Sequence, residues 1–145
     1  MGVFSITVKI WNPAQPEKKE ELEVVVDTGA SYSWIRRSRL EPLGIQSVRR
    51  MSFRTIEGRM IERDLAPVFL AVDGYTGGDN VVLAETGDAE VLGAHSLESL
   101  GLTVNPIEKK LEPSVGLALT ARVGQTKVLP QSWCQHVPQA SRLKG

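Results

Sequence analysis

The sequence predicts an all-β domain with one short helix. Three observations carry that prediction. Phe4, Ile6, Val8 and Ile10 alternate with Ser5, Thr7 and Lys9, the period of a half-buried strand. Two further strand-like runs, Met51 to Thr55 and Met60 to Val72, flank Glu57-Gly58 and read as a β-hairpin, because glycine supplies the positive φ such turns need. Helical spacing is clear only from Ala94 to Leu100, where Leu97 and Leu100 stand i,i+3 and Gly101 follows as a C-cap.

The remaining elements follow in chain order. Asn12-Pro13 to Lys19 is a polar loop, since two prolines and a charge run suit no regular element. Leu22 to Val26 is a second strand, and its three consecutive valines predict burial on both faces. That strand runs directly into Asp27-Thr28-Gly29-Ala30. Leu40 to Ile45 is a short helix or a loop, limited by Pro42 and Gly44. Asp73-Gly74 marks a turn, Val81 to Ala84 a short strand, and Leu102 to Val104 with Lys109 to Leu111 two closing strands.

Bulk properties narrow the function. The 145 residues suffice for one domain, and 41% hydrophobic content permits a real core. Seventeen basic residues balance seventeen acidic ones, which argues against a nucleic-acid binder. Cys134 is the single cysteine, so no internal disulfide is possible and a reducing, cytoplasmic location is expected. No apolar run approaches the ~20 residues that span a bilayer, so no membrane partner is expected. Composition shifts after Pro113. From Val115 onward there is no acidic residue, and the basic ones are Arg122, Lys127, Arg142 and Lys144. The chain therefore divides into a domain over residues 1–121 and a basic extension over 122–145, expected to be linker-like.

The chemistry is carried by Val24-Val25-Val26-Asp27-Thr28-Gly29-Ala30-Ser31. A carboxylate at the end of a buried strand is followed by a hydroxyl and a glycine. Two such carboxylates brought together hold one proton between them. The ionised member can then activate a water while the protonated one donates to a carbonyl. Gly29 permits close backbone approach, and Thr28 offers a hydroxyl that can fix the geometry. Asp-Thr-Gly alone also fits an ordinary turn after a strand.

The run from Val24 to Ser31 resembles the active-site signature of aspartic peptidases, in particular the single-domain retropepsins. Ser31-Tyr32-Ser33-Trp34-Ile35 continues the likeness, with a tryptophan at a spacing common in pepsin-type enzymes. Val91-Leu92-Gly93 and the helix after it are similar to the segment that passes beneath the active-site loop in that fold. The Met51–Val72 hairpin stands where the flap belongs. From Gly2 to about Ala121 the chain resembles small prokaryotic members of the retropepsin-like clan.

The resemblance implies a closed retropepsin-like barrel with a flap hairpin and one short helix. It implies an aspartic endopeptidase, a homodimer in which each subunit supplies Asp27, and no metal or cofactor. Asp27, Thr28 and Gly29 are the implied catalytic triplet. Ala30, Ser31 and Leu92, with Ile56, Glu57, Gly58 and Arg59 at the flap tip, are the implied contacts to a peptide or protein substrate. Retroviral members carry an Arg after the second motif's Gly that pairs with an Asp after the triplet. Here those places hold Ala94 and Ser31, so both partners are absent together.

Glu85-Thr86-Gly87 imitates a second triplet, but too few residues separate it from Val91 for a second lobe. The second aspartate must then come from another chain. His95 reads as a structural or surface histidine, and Arg36, Arg37 and Arg39 as a solvated basic turn. Cys134 and His136 are too few to make a metal site. The alternatives are a non-catalytic peptide-binding module of the same fold and an unrelated β-barrel adaptor in which Asp27 is only a turn residue.

Overall fold

The computed structural model describes residues 4–120. The expected boundary at 121 and the 122–145 extension, with Cys134 and His136, lie outside the described residues. The chain divides at Val115 into one compact unit and a second that begins at Gly116. Residues 116–120 of the second carry no helix or strand.

The first unit is mostly β. Its strands are β1 (Phe4–Trp11), β2 (Lys19–Val26), β3 (Trp34–Arg36), β4 (Arg49–Arg54), β5 (Met60–Val72), β6 (Tyr75–Ala84), β7 (Val91–Leu92), β8 (Leu102–Asn105) and β9 (Lys110–Pro113). The first seven form one sheet in the order β1-β2-β7-β3-β6-β5-β4, and β1 also pairs with β5 from Lys9↔Ala71 to Trp11↔Phe69. β8 and β9 make a separate hairpin.

Alternation decides which side chains go inward. Val8 and Ile10 of β1, and Leu22, Val24 and Val26 of β2, are buried, while Thr7, Lys9 and Glu23 stay in water. Val25 is only half-buried, so the valine run is less enclosed than expected. The core continues through Ile35, Leu65, Val68, Leu70, Val81, Leu83 and Leu92, each almost without exposure.

The helix after β7, α2 (Ala94–Leu100), has the expected bounds and ends on Gly101 in the left-handed region at φ 74°. The fold has a second helical segment where one short helix was expected. A single turn, α1 (Arg37–Leu40), runs into a 3₁₀ turn at Glu41–Leu43. Pro42 and left-handed Gly44 keep it short, and buried Leu40 and Leu43 anchor it to the core. The basic cluster here is not a solvated turn. The Arg37 guanidinium meets Asp64 at 2.8 Å and Glu85 at 2.7 Å, and Arg39 meets Glu90 at 2.9 Å. These carboxylates come from distant parts of the sequence, so spacing could not announce them. No helix among the described residues is long and apolar enough to cross a membrane.

Candidate active site

Asp27 begins where the parallel β2–β7 ladder ends. Val25 lies opposite Val91 and Val26 opposite Leu92, and the Asp27 N–H donates to the Leu92 carbonyl at 3.0 Å. The chain then turns sharply. The Ala30 N–H donates to the Asp27 carbonyl at 3.1 Å, and the Gly29 N–H donates to Asp27 Oδ1 at 2.9 Å. That second bond fixes the orientation of the carboxylate. A Cβ at position 29 would sit 3.1 Å from the same oxygen and press on it, which is a local reason for glycine there. Asp27 is half-buried, whereas Thr28, Gly29 and Ser31 are exposed.

The loop is held from below by the second motif. The Ala94 N–H donates to the Ala30 carbonyl at 2.8 Å, and the His95 N–H donates to the Ser31 carbonyl at 2.9 Å. The first N–H groups of a helix have no partner within it, so α2 and the loop satisfy one another. Backbone bonds thus join the loop, at Ala30 and Ser31, to the first turn of the helix, at Ala94 and His95. Gly93 lies tight against the loop. A Cβ there would meet the Tyr32 carbonyl oxygen at 2.5 Å and that of Ala30 at 2.7 Å.

A cleft of about 500 Å³ opens over Asp27. Trp34 and Val91 line its floor, Arg54 to Glu57 with Ile61 form one wall, and Gly87 to Ala89 form the other. A second hollow of about 360 Å³ adjoins it, lined by Ala30, Ser31, Tyr32, Met51 and Phe53. The two share Trp34, Arg54, Thr55 and Ile61. The β4–β5 hairpin thus faces the Asp27 loop across a continuous groove. Its tip is closed around Thr55. Thr55 N–H donates to the Arg59 carbonyl and Gly58 N–H to the Thr55 carbonyl, each at 2.8 Å, while Arg59 N–H reaches Thr55 Oγ1 at 3.0 Å. Gly58 takes φ 92°, which its position in this turn requires.

Of the expected substrate contacts, Ala30, Ser31, Ile56 and Glu57 line the groove. Gly58 and Arg59 stand exposed at the tip and line neither hollow. The Leu92 side chain is fully buried, so Leu92 meets the site through its carbonyl. Tyr32 and Phe53 also line the groove, though neither stands among the expected substrate contacts. Phe53 packs edge-on against Trp34 at 5.1 Å between centroids and against Tyr32 at 6.0 Å, and the exposed His95 ring meets Tyr32 at 4.8 Å. The signal for Phe53 was its place two residues after Met51 on a strand, which puts both on one face.

The far wall is held by charge. Arg63 donates to both oxygens of Asp88, at 2.7 and 3.0 Å, and the Glu85 N–H also reaches Asp88 Oδ2 at 2.8 Å. Glu85-Thr86-Gly87 is thus a turn whose acid, Glu85, is tied to Arg37. The Arg63 hydrogen bonds hold the Asp88 carboxyl below the ordinary 3.8, against the opposing effect of burial. Asp64 is lowered likewise, mainly by its bond from Arg37. For a carboxylate depressed in the folded state, the stabilisation is present above the unfolded value and lost as pH falls through the folded one. Thermal melting of wild type is therefore expected to be steady from neutrality to about pH 5 and to fall below it. Arg63→Ala should melt lower at neutral pH, with the gap to wild type closing in acid. A gap that stays constant from neutral to pH ~3 would show that the pair does not titrate as described.

No protein-family model matches the chain, and no curated protein matches it. Among solved structures it is similar to the solution structure of Simian Foamy Virus (mac) protease, at 19% identity and a TM-score of 0.48, over 66% of this chain and 92% of that one.

Proposed function

We propose that the chain is a retropepsin-like aspartic endopeptidase that works as a homodimer, with Asp27 of each subunit forming the catalytic dyad. The observation that carries this reading is the placement of Asp27. Its carboxylate is oriented by the Gly29 N–H at the end of a strand and opens onto a groove walled on one side by the β4–β5 hairpin. The double pairing of β1, to β2 and to β5, supports reading the sheet as the family's closed barrel.

The dyad holds one proton. Its ionised member takes a proton from a bound water as the water oxygen attacks the scissile carbonyl carbon. Its protonated member gives a proton to the carbonyl oxygen. The tetrahedral diol then collapses: one of its hydroxyls returns a proton to the ionised carboxylate as the C–N bond breaks, and the protonated carboxyl gives its proton to the leaving nitrogen, which restores the singly protonated dyad. No metal, cofactor or covalent intermediate is needed. Thr28 braces the two loops across the two-fold axis, and Gly29 borders the substrate backbone. The exposure of both in the single chain leaves them available for those contacts. An extended peptide lies between the Ala30–Ser31 floor and the hairpin tip at Ile56 to Arg59 as an added strand. The single cysteine fits a cytoplasmic setting.

Sedimentation at micromolar concentration, paired with a peptide-library cleavage assay, tests the proposal. A dimer, or a monomer–dimer equilibrium whose cleavage rate rises with dimer fraction, is expected. A strict monomer that cleaves peptide would overturn the shared dyad.

A further inference from the structure

Resting on that reading, we infer that Ser33, Ser96 and Asp79 form a positioning relay that holds the Asp27 loop in place from beneath. Three elements far apart in sequence meet here: the residue before β3, the third residue of α2, and the middle of β6. The Gly93 N–H donates to Ser33 Oγ at 2.9 Å, Ser33 Oγ lies 2.5 Å from Ser96 Oγ, and Ser96 Oγ donates to Asp79 Oδ2 at 2.7 Å. Ser33 and Ser96 are the only buried polar residues among those described, and both are wholly enclosed.

The direction of the chain is fixed at both ends. The Gly93 N–H can only donate, and an aspartate carboxylate only accepts. Each hydroxyl therefore accepts from one side and donates to the other, so neither buried O–H lacks an acceptor. Bonds chained in one direction polarise and strengthen one another. Without the carboxylate, the Ser96 hydrogen would be buried with nothing to receive it.

What the relay holds is the residue under the loop. Leu92, just before Gly93, accepts the Asp27 N–H, and Ala94, just after it, donates to the Ala30 carbonyl. Gly93 itself lies against the carbonyls of Ala30 and Tyr32. The relay secures the one intervening N–H, so its loss frees the central contact of a three-residue clamp. A dyad needs its carboxylates within a few tenths of an ångström of the reacting geometry. The relay residues touch neither substrate nor reacting atoms, and act by setting where Asp27 stands.

Two readouts on the full chain separate positioning from general stabilisation. The first is amide hydrogen exchange by NMR for wild type, Ser96→Ala, Asp79→Ala and Asp79→Asn. Ser96→Ala and Asp79→Ala should speed exchange at Gly93 and in the 27–32 loop by about tenfold, while Leu70 in β5 stays at its wild-type rate. Asp79→Asn keeps an oxygen that accepts from Ser96 and should return exchange to within about threefold of wild type. Asp79 is half-buried, so its variants test the relay even where Ser96→Ala does not fold. The second readout is steady-state cleavage. The two alanine variants should lower kcat about ten- to a hundredfold with KM within about twofold, and Asp79→Asn should recover most of kcat. Unchanged Gly93 exchange, or equal acceleration at Gly93 and Leu70, would overturn the relay. Retained cleavage in Asp27→Asn would instead remove the Asp27 dyad from the proposed function and leave the exchange result standing.

Discussion

Asp27→Asn is expected to lower peptide cleavage by at least about a thousandfold while leaving the fold intact. The amide matches the carboxylate in size. Its oxygen can still accept the Gly29 N–H bond now made by Asp27 Oδ1, so the turn has no reason to open. What the amide cannot do is ionise, and without an ionised member the dyad has no base for the water. In the proposed homodimer the substitution also removes the repulsion between two like groups at the two-fold axis, so that dimer should tighten. Wild-type rate should trace a bell, falling when the single shared proton is lost and again when a second is gained, with its optimum on the acid side of neutrality. The Arg63–Asp88 pair matters here, since it holds a wall of the cleft and persists until the medium is more acid than the ordinary carboxylate range. Initial rates from acid to alkaline pH, with sedimentation of both proteins, decide the matter. Wild-type activity in the variant would show that Asp27 is not the catalytic group.

The parts of this fold that were legible in the sequence are those whose cause is local. Alternation fixed β1, and β5 runs from Met60 to Val72 as expected despite Pro67. The i,i+3 leucines and Gly101 fixed both ends of α2. The elements that escaped have causes elsewhere in the chain. β3 is three residues between polar and basic neighbours, and it exists because β6 and β7 flank it. β6 begins at Tyr75 and not at Val81, through Gly77 and Gly78, residues that weaken a strand. Both are there for packing. A Cβ on Gly77 would strike the Ser99 carbonyl oxygen at 2.5 Å, and one on Gly78 would meet the Phe69 ring at 3.0 Å. The site divides in the same way. Asp27 and its glycine stand in a continuous motif, so sequence reveals them. Ser33, Ser96 and Asp79 are ordinary residues until the fold brings them together, and Phe53 joins the cleft only through the β4–β5 register.

Gly93→Ala should be among the most damaging single methyl groups that can be added to this domain. The atoms it would meet are backbone: the Tyr32 carbonyl oxygen at 2.5 Å, its carbon at 2.7 Å and the Ala30 carbonyl oxygen at 2.7 Å. No rotamer change relieves that contact, so either α2 or the 30–32 loop must move. Moving α2 breaks the bonds from Ala94 and His95 to that loop, and moving the loop displaces the turn that carries Asp27. Overpacking of this kind costs about 1–3 kcal/mol, and a backbone clash belongs at the upper end. The melting temperature should therefore fall by roughly 10 °C. Cleavage should fall further than stability explains, by about a hundredfold at temperatures where the variant is still folded, because a shift of ~1 Å in a catalytic loop suffices for that. Gly74→Ala is the control. Its new Cβ would meet nothing within 4 Å, and only the φ of 86° is strained, so it should cost about 1 kcal/mol and leave kcat unchanged. Melting and cleavage measured together for the two variants separate packing from strain. A Gly93→Ala protein that melts and cleaves like wild type would mean that helix and loop are not clamped, and that the orientation of Asp27 is set by its own turn alone.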